Sequence, residues 1–251
     1  MKYLLSLLLL FSAISVQAAD LRIAAATNLR YVLPELVTEF EQQTGLKAEV
    51  SYAASGILTT QIMHGAPFDI FLSANVDYIK RLIDQQFTQG KPLEYAQAQL
   101  ALYATHRSGL TLDVDLEGIK SALKAGTLNK VTIANPKHAP YGQAAQTALE
   151  QAGLWQAIQP YLLIAENASQ AVQFSMASTV DVGFVPYAHV IQNKLKEKGR
   201  FIVLKQRLPQ QAVKINHSPQ AASQFMTFLN TKATKMTLIR HGFIVDIDSD
   251  D

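Results

Sequence analysis

The chain contains no cysteine. That absence excludes disulfides, thiolate metal sites, a cysteine nucleophile and a lipidated N-terminal cysteine. Charge is sparse as well: charged residues make up 17% of the sequence, and 22 Lys and Arg against 20 Asp and Glu leave a formal net charge of +2. So small a balance offers no field for nucleic acid or an anionic membrane, so an anionic partner must be held by local groups. Beyond residue 18 no stretch approaches the ~18 consecutive apolar residues of a membrane span. HExxH, GxSxG and KTG motifs are missing. His64, His106, His138, His189, His217 and His241 are scattered without ligand spacing, so no metal site is expected. Ser121 and Lys124 match an SxxK pattern, but they lie alone in an ordinary amphipathic stretch. Asp69 and Asp77 lack a partner carboxylate at a telling spacing, which leaves acid–base work on them unsupported. The basic run from Lys194 to Arg200 reads as a solvated surface, with a docking patch as the alternative.

What is present begins with a leader. Lys2 is a positive start, Leu4 to Ile14 an apolar core, and Val16-Gln17-Ala18 the small-residue site of a signal peptide over residues 1–18. The apolar core is too short for a bilayer of ~30 Å. A cleaved chain without a lipid anchor diffuses freely, and a periplasm would retain it. About 233 residues then remain, enough for two lobes with their own cores.

The pattern that follows is α/β. Leu21–Ala26 reads as a buried strand, and Leu29, Val32, Leu33, Leu36, Val37 and Phe40 as one helix face, with Gly45 at its end. Strands at 48–52 and 69–72 alternate with helices at 56–63 and 76–86, the last with Ile79, Leu82 and Ile83 inward. This order predicts a parallel sheet with helices on its faces, and ligand sites at the carboxyl ends of its strands. A strand at 99–104 leads to a second unit: helices at 116–125, 142–151 and 169–178, and strands at 131–134, 162–165 and 182–185. A strand at 212–215 carries the chain back to closing helices at 220–229 and 234–241. Residues 19–98 and 214–251 are thus expected as one lobe and 99–213 as the other, joined by a two-strand hinge. The acidic end from Asp246 to Asp251 is expected to fray.

Four turns carry donors to helix starts, where free N–H groups and the helix dipole favour an anion: Thr27-Asn28, Ser55-Gly56, Pro140-Tyr141-Gly142 and Asn167-Ala168-Ser169. Each has a plain alternative. Thr27, Asn28, Ser55 and Asn167 are residue types that cap helices, and Tyr141 can be a half-buried aromatic with a satisfied hydroxyl. Gly56 allows a close backbone approach to a ligand.

Several segments, in this order, resemble the periplasmic molybdate-binding proteins of ABC importers. They are AAATNL at 24–29, SYAASGILTTQI at 51–62, GAPFDIFLSAN at 65–75, ANPKHAPYGQAA at 134–145, AENASQA at 165–171 and DVGFVPYAHV at 181–190. The resemblance implies a two-lobed type II periplasmic binding fold, each lobe a mostly parallel sheet flanked by helices, closing around a tetrahedral dianion. It implies Thr27 and Asn28 in the first binding loop and Ser55 in the second. Tyr141 and Ala168 follow, both acting chiefly through their main-chain N–H. Many members have Val where Ala168 stands, and some add a tyrosine hydroxyl at the position of Pro186. Tyr187 falls one residue later and is left out of the site. Asn75 replaces the usual Asp.

The residue types agree with such a ligand. A buried dianion is costly unless donors meet its lone pairs, and neutral donors at helix ends can do this. A lining of donors alone disfavours protonated phosphate, whose O–H lacks an acceptor. Sulfate must be rejected by cavity size, whereas tungstate resembles molybdate and should bind too. The expectation is a monomeric binding protein, not an enzyme, with no cofactor. It would deliver molybdate or tungstate to a membrane permease and ATPase, without nucleic-acid binding or membrane insertion. A receptor for sulfate or chromate is the nearest alternative, and a periplasmic hydrolase or transferase the alternative of a different class.

Overall fold

The computed structural model describes residues 19–192 and 195–247. The expected leader, Lys194 of the basic run and the tail from residue 248 lie outside the described residues. Strand β1 (Leu21–Ala26) runs into a 3-10 turn at Thr27–Leu29 and then helix α1 (Leu33–Thr44). The apolar stripe from Leu29 is therefore split between a turn and a helix, and Leu29, Val32, Leu33, Leu36 and Phe40 are all buried. Pro34 stands in the first turn of α1, where its missing N–H costs least, and Gly45 ends the helix at φ 74. There follow β2 (Ala48–Ala53), α2 (Ser55–Met63), β3 (Ile70–Ser73) and α3 (Val76–Asp84). Ile79 and Leu82 point inward, but Ile83 does not: it is 38% exposed, because the last turn of α3 leaves the core as the chain reverses at Gln86, φ 60.

The second lobe holds α4 (Glu117–Lys124), β4 (Thr88–Thr105) having led into it, then β5 (Val131–Ala134), α5 (Pro140–Gln151) and α6 (Trp155–Ile158). It continues with β6 (Leu162–Ala165), α7 (Ala168–Ser175), β7 (Val182–Pro186), α8 (Tyr187–Gln192) and α9 (Leu195–Lys198). Strand β8 (Gly199–Ile215) returns the chain to α10 (Gln220–Leu229) and α11 (Lys232–Arg240). The rings of Phe225 and Phe228 meet Phe40 of α1 at 5.1 and 5.6 Å, which seats α10 on the first lobe.

All eight strands form one sheet in the order β2-β1-β3-β8-β4-β7-β5-β6. Strand β1 is parallel to β2 and β3, and β5 is parallel to β6 and β7. Between these two parallel sets, β4 and β8 form a long antiparallel ribbon that is the link between lobes. Its strands are far longer than the expected runs at 99–104 and 212–215. Polar and ring residues such as Lys91, Pro92, Gln97, Pro209 and Gln210 interrupt the apolar pattern, which an antiparallel ribbon with bulges tolerates. Register shifts fall at Gln89/Leu93, Glu94/Ala96 and Gln99/Ala101.

Both faces of the sheet are covered. In β3, Phe71 packs with Leu58, Ile62, Ile79 and Leu82, while Ile70 and Leu72 join the large core with Leu36 and Phe40. Asp69, 5% exposed, accepts the Arg22 main-chain N–H at 2.7 Å and its guanidinium at 3.3 Å, a structural tie between β1 and β3. Gly142 lets α5 start against β5: a Cβ there would stand 2.2 Å from the Ala134 carbonyl oxygen. Gly142→Ala is expected to lower stability by roughly 1–3 kcal/mol through overpacking, read as a fall of several degrees in Tm; an unchanged melt would contradict that contact.

Candidate functional site

Four helix starts converge between the lobes. Thr27 opens the 3-10 turn after β1, and Ser55 is the first residue of α2. Tyr141 is the second residue of α5, and Ala168 the first of α7. Together with Ala26, Asn28, Ala54, Ala74, Ala139 and Pro140 they wall a cavity of about 10 Å³. All five residues expected from sequence (Thr27, Asn28, Ser55, Tyr141 and Ala168) thus line one cavity, and none is more than 4% exposed. The wall contains no charged residue. A wider recess of about 950 Å³ among Arg107, Asp113, Gly118 and Asp181 shares no lining residue with it.

The capping alternative fails for two of these turns. Ala26, Ala54 and Ala139 occupy the cap positions, and none makes a side-chain capping bond. Thr27 and Ser55 therefore lie inside their helices, whose first N–H groups lack intrahelical acceptors. Asn167 does cap α7, accepting the Gln170 N–H at 3.1 Å, while the Gln170 side chain accepts the Glu166 N–H at 2.6 Å. The Ser55 hydroxyl accepts the Ala74 N–H at 3.2 Å, which leaves its own hydrogen to donate.

The side chain of Asn28 is tied to the β4–β8 ribbon. Its Nδ2 donates to Gln210 Oε1 at 2.9 Å, and Gln210 in turn donates to the Leu208 carbonyl at 2.8 Å. One of the two Nδ2 hydrogens is therefore engaged by β8, and Asn28 Oδ1 is buried without a partner. The Tyr141 hydroxyl, also buried without a well-formed hydrogen bond, interacts with Asn28. Burial pushes the Tyr141 phenol well above its usual range, and Asn28 offsets part of this, so the hydroxyl stays protonated.

Polar contacts between the lobes flank the cavity. On one side the Gly56 N–H donates to the His138 carbonyl at 2.9 Å, and a Cβ on Gly56 would lie 2.8 Å from that oxygen. The close approach of Gly56 is thus to His138. Nearby, Asn75 Nδ2 donates to Gln143 Oε1 at 3.0 Å, and Gln143 Nε2 donates to the Tyr78 hydroxyl at 3.1 Å. Asn75 Oδ1 also caps α3 by accepting the Asp77 N–H. An aspartate at 75 could cap α3 but could not donate to Gln143. On the other side Ser169 Oγ donates to the Thr27 carbonyl at 3.1 Å, and His189 Nε2 lies 3.1 and 3.2 Å from the Thr27 and Asn28 carbonyls. Tyr187 packs on Phe201 and is not in the cavity wall.

This arrangement has known counterparts. The model of the bacterial extracellular solute-binding proteins matches residues 21–244. The chain belongs to that family. A molybdate-binding protein of Rhodobacter capsulatus is 30% identical over 241 residues, covering 93% of this chain and 92% of that protein. The solved periplasmic molybdate-binding protein of Azotobacter vinelandii superposes with a TM-score of 0.79 at 29% identity, covering 90% of this chain and 99% of that one. A sulfate-binding protein of Mycobacterium tuberculosis shares the fold, with a TM-score of 0.75 at 16% identity over 92% of this chain and 88% of its own.

Within this family member, sequence reasoning missed His189, Gln210 and Gln143. No local motif marks them, because their partners lie 161, 182 and 68 residues away. His189 has a measurable consequence. Burial holds its imidazole down to about 4, against an ordinary 6.5, although hydrogen bonds to the Asn28 and Thr27 carbonyls oppose the shift. The folded protein therefore binds fewer protons here than the unfolded chain between these values. Its stabilising effect is complete above pH 6.5 and is lost as pH falls through about 4, on the order of 3 kcal/mol. Tm is expected to drop across that interval, and His189→Gln to flatten the drop; equal slopes for parent and variant would refute the assignment.

Proposed function

We propose that this chain is a periplasmic receptor that captures molybdate, and tungstate with it, between its lobes. It delivers the ion to the permease and ATPase of an ABC importer. The observation that carries this reading is the convergence of four helix starts, three of them without side-chain caps, on a cavity of about 10 Å³ with no charge in its wall. The cavity is far below the hundreds of Å³ that organic ligands fill, so the reading rests on the donors in its wall and not on its volume. The names of the relatives from Rhodobacter and Azotobacter support molybdate as that ion.

In this reading Thr27, Ser55, Tyr141 and Ala168 supply main-chain N–H groups, and Ser55 adds its hydroxyl. Asn28 contributes its main-chain N–H, while one hydrogen of its side-chain amide is held by Gln210. Size separates molybdate from sulfate: the smaller ion leaves its hydrogen bonds stretched. Hydrolysis is not proposed, because the bond made by Ser55 Oγ is to a main-chain N–H and not to a base. Among the described residues no helix is long and apolar enough to cross a membrane. The leader pattern at residues 1–18 supports export.

Calorimetric titration of residues 19–251 with molybdate, tungstate, sulfate, phosphate and chromate tests the proposal. One-to-one binding of molybdate and tungstate is expected, with sulfate and phosphate silent; a preference for sulfate or chromate would reassign the ligand. Ser55→Ala is expected to weaken molybdate binding by roughly 1–3 kcal/mol, while Ala168→Val leaves it nearly unchanged. Undiminished affinity in Ser55→Ala would remove that hydroxyl from the site.

A further inference from the structure

His189 belongs to α8 of the second lobe, yet its ring ends on the loop that opens the first lobe's side of the cavity. It is 1% exposed, and the edge-to-face ring of Tyr31, 4.8 Å between centroids, packs against it. Both groups near Nε2 are carbonyl oxygens, which only accept. Nε2 must therefore carry the hydrogen, and in the neutral ring Nδ1 does not. Ser169 Oγ, from α7 of the same lobe, donates to the same Thr27 carbonyl. The second lobe thus places two donors on one carbonyl of the first.

That carbonyl and the Asn28 N–H are two ends of one peptide group. Donors on the oxygen polarise the unit and strengthen its N–H as a donor, because hydrogen bonds in a chain reinforce one another in a dry interior. The same donors fix the plane of the peptide, and with it the direction of the N–H.

We propose that His189 is a positioning residue of the oxyanion site. When the lobes close, its Nε2–H locks the Thr27–Asn28 loop and strengthens the main-chain donor that this loop gives to the ion. The inference rests on the molybdate reading and assigns to a single imidazole the link between closure and retention of the ion. The contact belongs to the closed arrangement, which the ligand-free chain also samples, so it slows opening and acts on escape more than on capture.

Release of radiolabelled molybdate into excess unlabelled molybdate, together with the association rate, tests this in the parent, His189→Leu and His189→Gln. His189→Leu is expected to release the ion roughly tenfold to a hundredfold faster, since two buried carbonyls lose a donor, with association changed by less than about twofold. Glutamine presents an N–H near the place of Nε2 and should restore most of the retention. Release from His189→Leu at the parent rate would overturn the proposal, as would equal fast release from both variants, which would point to ring packing. Should His189→Leu not fold, His189→Asn replaces it, its shorter amide stopping short of the carbonyls. Hydrogen exchange of the Gly56 amide, which donates across the lobes to His138, gives a second readout with and without molybdate. Faster exchange in His189→Leu than in His189→Gln supports the clasp, and identical exchange refutes it. A parent that binds no molybdate would fault the ligand, and Gly56 exchange in the ligand-free protein would still decide the clasp.

Discussion

A helix that begins inside a protein exposes N–H groups for which something must act as acceptor. Here alanine precedes three of the four starts, at positions 26, 54 and 139, and alanine has nothing to offer. The Gly56 N–H finds the His138 carbonyl of the other lobe; the rest of the demand is left for a group from outside the chain, which the proposed oxyanion would meet. Much else in the architecture serves this demand. Parallel strands with helical crossovers put the helix starts at the carboxyl edge of each lobe, and the β4–β8 ribbon turns the two edges toward each other.

In the proposed reading, the cavity would let a protein with little charge attract an anion without becoming a general anion trap. Its wall is neutral, so selectivity lies in the directions of fixed dipoles and not in a field that any phosphate would feel. Fixing those dipoles requires support from behind. Gln210 holds the Asn28 amide from the ribbon, Ala74 holds the Ser55 hydroxyl, and the Asn167–Gln170 pair sets the start of α7. Each support uses a neutral hydrogen bond, in keeping with the cavity itself.

Much of this was legible in the chain. The small-residue turns after strands left a local trace at Thr27, Ser55, Tyr141 and Ala168, each readable as a plain helix start, and it was the resemblance that singled these residues out; the structure places all four at helix starts around one cavity. The ribbon was only half legible: its ends at 99–104 and 212–215 are apolar, but its middle reads as loop, because a register shift accommodates Pro92 and Pro209 stands opposite Gln97, whose own N–H and C=O go to Ile244. The tie of the Asn28 side chain to Gln210 was not legible, since nothing near it in sequence announces that partner. His189 looked like one of six scattered histidines. Such residues act across the cleft, and their significance exists only once two distant segments share a boundary. Ile83 fits the helical period and still faces solvent, because period fixes a face and not how far the core extends along it.

The bridge from Gln143 to Asn75 and Tyr78 is made by protein groups alone. Bonds of that kind favour the shut shape whether or not an ion is inside, so the receptor proposed here would sample it empty at some equilibrium fraction. An importer that judged its receptor by outline would then accept unloaded copies, each a wasted turn of the ATPase. For the receptor proposed above, the economy of uptake would rest on keeping this bridge weak, and it is made of neutral amides and a phenol.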